Sequence, residues 1–391
     1  MKLLRRRFRI PLAWLLLSRQ PLRLLVALAG ISFAGILMFM QLGFRDSLFD
    51  ASVTVHSRLD ADLILISPSS NSSVRMSGFP RRRLVQAMAD PDVSSTTSVN
   101  WGITLWRNPE TRGTRTILAL GFKPGDPFFL DSSLAVKASQ LTQRGRVLFD
   151  ELSRPEFGPI ANWFREGRTI ESEINGRRVR VVGLVQLGTS FGVDGNLLTS
   201  SETYHDLIQN TPPGSIELGL IRLQPGVAAK PGTVAKRLQA MLPDDVRVLT
   251  KQEFINFEQD YWRSSTSIGF IFTLGAAMGF VVGCVIVYQV LQTDVSDHLP
   301  EYATLMAMGY KIRSLLGVVI REGLMLAALG YVPAWLAGQG LYMITRQATR
   351  LPVAMDLSRA ITVLVMIIVM CMLSAVLAMR RLVDADPAEI F

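Results

Sequence analysis

Ser267 to Leu291 reads SIGFIFTLGAAMGFVVGCVIVYQVL, and Gln292 to Arg313 continues at once as QTDVSDHLPEYATLMAMGYKIR. The first segment holds no charged residue and, at about 1.5 Å per residue, is long enough to cross about 30 Å of hydrocarbon. The second is polar and helix-forming, and a further apolar run, Leu315 to Leu336, follows it. A short polar helix between two membrane-length runs is therefore the feature around which the chain is read.

Within that helix Ser296 or Asp297 is the candidate N-cap, Pro300 fits the first turn, where it forfeits no intrahelical bond, and Gly309 closes the end. Tyr302, Leu305, Met306 and Gly309 follow the i, i+3, i+4, i+7 rule and line one face, with Ala303 and Ala307 making a small neighbouring face. Such a face either rests on its own protein or on lipid headgroups, or it receives a partner.

Working outward, apolar residues make up 49% of the 391 and are clustered. Two more runs, Leu24 to Leu42 and Ile361 to Met379, bring the expected spans to four, which leaves both termini on one side. Before the first run stand Lys2, Arg5, Arg6, Arg7, Arg9, Arg19 and Arg23 with no acid, so the positive-inside rule puts that side in the cytoplasm of a cell whose plasma (inner) membrane holds the chain. The net charge of +9 is accordingly a topology signal and not a nucleic-acid footprint, because basic and acidic residues nearly balance between Gly43 and Thr266. The first run is longer than a signal-peptide core and lacks a clean small-x-small exit, which favours an uncleaved anchor.

The expected organisation is a basic interfacial helix over 1–23 and spans at 24–42, 267–291, 315–336 and 361–379. An outer domain with flanking stalk helices fills 43–266, the polar helix lies in 292–314, an outer loop in 337–360, and a cytoplasmic tail in 380–391. The outer domain reads as mixed α+β. Val99 to Arg107 and Thr114 to Phe122 are strand candidates, and Thr169 to Ile174 pairs with Arg177 to Leu187 across Asn175-Gly176, a strong hairpin signal. Arg81, Arg82 and Arg83 open a helix and read as a solvated face. Gly275, Gly279 and Gly283 form two overlapping GxxxG frames in the second span, which implies close packing either within the chain or in a homodimer.

Chemistry is sparse. His56, His205 and His298 are scattered and assemble no metal site. The pairs Asp60 with Asp62, Glu171 with Glu173 and Asp244 with Asp245 are of the kind found on solvated surfaces. No GxxxxGK[ST] motif occurs, so this chain cradles no ATP and any hydrolysis belongs to another chain. Cys284 and Cys371 both fall inside expected spans, leaving the outer domain without a disulfide. No catalytic residue, resident cofactor or metal is expected, and a membrane-anchored enzyme stands only as a remote alternative.

One span, a large outer domain and three further spans, with VSDHLPEYATLMAMGY at Val295 to Tyr310 and DADPAEIF at Asp384 to Phe391, resemble the MacB/FtsX-like permeases of ABC systems. Within them they resemble the DevC permeases of cyanobacteria. The resemblance implies an α-helical membrane protein with four transmembrane helices plus a periplasmic α+β domain. It also implies a homodimer bound to a separate ABC ATPase subunit that holds the ATP. The ATPase would dock on Pro300, Glu301, Tyr302, Leu305, Met306 and Gly309. Further implied partners are membrane lipid, a periplasmic adaptor of the membrane-fusion type and, through it, a TolC-like outer-membrane channel, with glycolipid as cargo. His298-Leu299-Pro300-Glu301-Tyr302 departs from the basic residue many relatives carry there. Two alternatives of the same architecture are a transducer that regulates a cell-wall hydrolase and a lipoprotein-release permease.

Overall fold

The computed structural model describes residues 21–126, 128–130, 133–190, 192–208, 212, 214–308, 312–349 and 351–384. The expected interfacial helix before Pro21, Gly309 and the tail from residue 385 lie outside the described residues, as do the side chains of Leu305 and Met306.

Helix α1 (Pro21–Ser52) and the short α2 (Thr54–Arg58) lead into β1 (Leu63–Ile66), β2 (Phe79–Pro80), α3 (Arg82–Ala87) and the long β3 (Val93–Arg107). Next come β4 (Thr114–Phe122), α4 (Ser133–Ala138), β5 (Arg146–Asp150), α5 (Ile160–Arg165), β6 (Ile170–Ile174), β7 (Arg177–Val185), β8 (Asn196–Ser200) and α6 (Ser201–Leu207). β9 (Ser215–Ile216), β10 (Leu218–Leu223), α7 (Pro231–Met241), β11 (Arg247–Thr250) and α8 (Lys251–Ser265) follow. The last four elements are α9 (Ile268–Asp297), α10 (Leu299–Ala307), α11 (Ile312–Thr349) and α12 (Leu357–Asp384). Two compact units result: residues 48–266, and the residues up to Ser47 together with those from Ser267 onward.

The first unit is an α+β domain on one sheet with the order β11-β1-β10-β3-β4-β8-β5-β7-β6. β1 reads Leu-Ile-Leu-Ile and is buried throughout, because both of its faces are covered. Leu63 and Leu65 join Phe79, Leu84, Val234 and Leu238, whereas Ile64 and Ile66 join Trp101, Leu120 and Phe254 on the other side. β3 is long enough to serve two halves, pairing with β10 through Val93 to Val99 and with β4 from Val99 to Arg107.

Beyond that point the sheet bends until β6 returns to β3, with Trp106 opposite Ile174, so β3-β4-β8-β5-β7-β6 form a closed ring. Closure satisfies the edge that an open lobe would expose. Fully buried Trp106 packs at a tilt against Phe149 with ring centroids 5.2 Å apart, and Phe149 meets Phe157 edge-on at 6.1 Å, filling the interior. The hairpin across Asn175-Gly176 is present, with positive φ of 49° and 77° at the two turn residues, as its tight geometry requires. Arg83 corrects the reading of a solvated arginine run: it is 7% exposed, and its guanidinium donates to both carboxylate oxygens of Asp245.

Helix α8 starts with a capping box in which Thr250 Oγ1 accepts from the Glu253 amide at 3.2 Å and Glu253 accepts from the Thr250 amide at 2.7 Å. Thr250→Ala is expected to lower domain stability by about 1 kcal/mol, read as a shift in the denaturant midpoint.

The second unit is a bundle whose four long helices, α1, α9, α11 and α12, are each apolar and long enough to cross a membrane. α11 runs on to Thr349, so most of the interval expected as an outer loop is helical. Its sequence offers no proline between Pro333 and Pro352, and Pro352 follows close on the helix end. Ser296 and Asp297 do not cap α10. They form the last turn of α9, and His298 alone separates the two helices.

Candidate functional site

The polar end of the bundle is built around α10. His298 closes α9 with its amide donating to the Asp294 carbonyl at 3.2 Å, and its own carbonyl accepts from the Tyr302 amide at 3.1 Å, so the chain passes into α10 in a single residue. Arg23 of α1 forms an ion pair with Asp297, tying the end of α9 to the first long helix. Thr304 Oγ1 donates to the Pro300 carbonyl at 2.8 Å, a local side-chain bond one turn back along the helix.

Tyr302 does not lie on an open face. It is 4% exposed and belongs to the bundle core with Leu315, Val319 and Met379, and burial raises its phenol above the ordinary tyrosine range. Leu299 packs against the same core. The physical reason is that the apolar face of a short helix at a bundle end first closes the core beneath it, since the alternative leaves that core open to water. Among the described side chains the exposed ones are Pro300, Glu301, Thr304 and Met308, the last 64% exposed. Of the residues assigned to docking from sequence, Pro300 and Glu301 thus lie outside and Tyr302 inside. Glu322 of α11, 1% exposed, faces Asp294 beside Tyr302.

The three glycines of α9 pack within the chain. Gly275 faces Gln41, Gly279 faces Leu37 at 3.3 Å from where a Cβ would stand, and Gly283 sits between Met370 and Ala34. Gly330 of α11 likewise receives Ile31 of α1. At the opposite end of the bundle Arg359 donates to Asp46 at 3.1 Å and to the Ala354 carbonyl at 2.6 Å, and it lies 5.8 Å from the Tyr342 ring centroid. Sequence reading missed this clamp. Its signal was a lone acid and a lone arginine at the ends of two apolar runs. Among the described residues no three His, Cys, Asp or Glu side chains converge as a metal site.

Residues 251–387 match the family described as FtsX-like permease C-terminal. Over that region the chain is similar to the C-terminal part of FtsX-like permeases. Two uncharacterized ABC transporter permeases, one from Mycobacterium tuberculosis and one from Mycobacterium bovis, are 23% and 22% identical over 219 residues. Those matches cover 56% of this chain and 56% of each relative, so the chain spans about half the length of the curated relatives it matches. Among solved structures, the extracellular domain of the noncanonic ABC-type transporter YknZ from Gram-positive bacteria is similar at 11% identity and TM-score 0.32, covering 49% of this chain and all of that one. The periplasmic region of MacB from Actinobacillus actinomycetemcomitans is similar at 14% identity and TM-score 0.31, covering 51% of this chain and 92% of that one. The matched residues include α9 to α12 and with them the exposed face of α10.

Proposed function

We propose that the chain is the membrane subunit of an ATP-driven ABC exporter and that a separate ATPase docks on the outward face of α10. The observation that carries this reading is a short helix, in an FtsX-like permease region, that joins two membrane-length helices while keeping Pro300, Glu301, Thr304 and Met308 free. Tyr302 then acts from below: it fixes α10 to the bundle, so that a push on the free face is passed to α9 and α11 and is not lost in a hinge. Leu305, Met306 and Gly309 complete the docking surface in this reading. Both termini are cytoplasmic, the α+β domain lies outside the inner membrane, and two copies form the working unit.

Nucleotide-driven movement of the bundle would rearrange the outer domains. The chain-continuous helix α1, which runs from Pro21 to Ser52, supports such a transfer. Envelope cargo, glycolipid in the first instance, would leave through an adaptor and a TolC-like channel, with no route through the spans.

The test is purification of the tagged chain from its native membrane in mild detergent, with mass spectrometry of what accompanies it. Recovery of a P-loop ATPase and an adaptor supports the reading, and Met308→Asp is expected to reduce the recovered ATPase at least tenfold while the chain still folds. Undiminished ATPase recovery with Met308→Asp and Glu301→Lys combined removes the docking assignment. A wall hydrolase in place of the adaptor turns the reading from export to transduction.

A further inference from the structure

Two short segments of the α+β domain adjoin membrane-length helices in the chain: α2 follows α1, and α8 precedes α9. They meet at a buried pair, His56 of α2 and Glu258 of α8, which are 2% and 1% exposed. The His56 ring is held between Trp101 and Phe254, with centroids 5.2 and 4.9 Å away. Glu258 accepts from the Ser73 amide at 2.6 Å and from Trp262 Nε1 at 2.8 Å. The Ser73 carbonyl in turn accepts from Trp101 Nε1 at 2.8 Å.

This arrangement satisfies the groups around the imidazole but not the imidazole itself. Both His56 nitrogens lack a hydrogen-bond partner, although Nε2 stands only 3.9 Å from Glu258 Oε2. A buried polar group without a partner is an unfavourable arrangement, and here its natural partner is just out of reach. A movement of about 1 Å would bring the two atoms to an ordinary hydrogen-bond length.

We propose that His56 and Glu258 are a two-position latch between α2 and α8, open as described and closed by a charge-assisted hydrogen bond when the two helices shift together by about 1 Å. Among the described residues, neighbouring charges do not compete for either partner. Arg58 of α2 donates to the Gln186 carbonyl, Lys251 of α8 donates to the Leu59 carbonyl, and the other faces of the box are the aromatic rings and the Ser73 backbone. In the open position burial lowers the imidazole to about 3 and raises the Glu258 carboxyl. Closure gives each group the partner that favours its charged form. The joint therefore has two discrete arrangements, the kind of contact through which a small helix displacement is passed on as a defined change.

A double-mutant cycle on the full chain in detergent tests this, using His56→Phe, Glu258→Gln and their combination, with unfolding equilibria read at pH 8 and pH 6. The latch is expected to give a coupling of more than tenfold in the unfolding constant, larger at pH 6. Because protonation of the ring draws the latch closed, the His56 ring, read by nuclear magnetic resonance and assigned by its loss in His56→Gln, is expected to titrate above the value of about 3 that burial gives the open position. Additive effects, with His56→Phe stabilising on its own and the ring titrating near 3, overturn the latch. Should His56→Phe not fold, the ring titration of the unaltered chain decides by the same criterion.

Discussion

Asp150→Ala is expected to lower the stability of the α+β domain by about 3–5 kcal/mol and its Tm by roughly 10 °C. Asp150 ends β5, is fully buried, and its carboxylate accepts from four donors. These are the Leu152 amide at 3.1 Å, the Leu187 amide at 3.0 Å, the Gly188 amide at 2.8 Å and Asn196 Nδ2 at 2.8 Å. One side chain thereby fixes the turn after β5, the exit from β7 and the entry to β8, three strand ends that are far apart in sequence. Alanine takes the acceptor from three backbone amides, while Asn196 Nδ2 keeps only its bond to the Gly188 carbonyl at 2.7 Å, and water has no ready path to a side chain of zero exposure.

Asp150→Asn separates charge from shape. It keeps the volume but turns one oxygen into a donor facing donors, so it is expected to lie between wild type and alanine. Unfolding followed by tryptophan fluorescence reads both, since Trp106 and Trp163 lie in this lobe. An alanine variant within 1 °C of wild type, on the scale set by about 2–4 °C per kcal/mol, shows that the network does not hold the lobe together.

Nothing near Asp150 in the sequence marked it. An acid followed by Glu151 reads as an ordinary strand end, and the residues it gathers become neighbours only once β4 and β8, and β5 and β7, have paired in parallel. Parallel pairing joins distant segments and leaves no local pattern. The closure of the ring through Trp106 and Ile174 is antiparallel, and it was hidden because it too joins strands far apart in sequence. The hairpin across Asn175-Gly176 was legible because its cause is local: two successive residues that tolerate positive φ between alternating strands.

The candidate site divides along the same line. The long apolar helices and the short polar helix between two of them are composition and length, which the chain displays openly. Which face of α10 is free depends on what lies under it, and periodicity reports only that one face prefers burial. Tyr302 was therefore assigned outward from sequence, whereas the bundle core takes its side chain. The exposed face, with a proline, an acid, a threonine and a methionine, has no periodic signature of its own.

The glycines of α9 are expected to differ in the cost of substitution, and the order tests how the bundle is held. A Cβ at Gly275 would meet only the amide end of Gln41, which can swing away. At Gly279 it would approach Leu37 Cβ at 3.3 Å, a contact that a small adjustment relieves. At Gly283 it would collide with the buried Met370 side chain and stand 2.8 Å from Ala34 Cβ, an atom that moves only with the backbone of α1. Gly283→Ala is therefore expected to cost about 1–3 kcal/mol and Gly283→Leu more, against little for Gly275→Ala, as read by thermal unfolding in detergent. Equal effects at 275 and 283 would mean that α9 is not wedged between α1 and α12. The same packing bears on assembly. Because these small residues are already used within one chain, a second copy would have to meet the bundle through another surface. α9 offers one in Phe270, Leu274, Met278, Val281 and Val285, which remain 49–70% exposed.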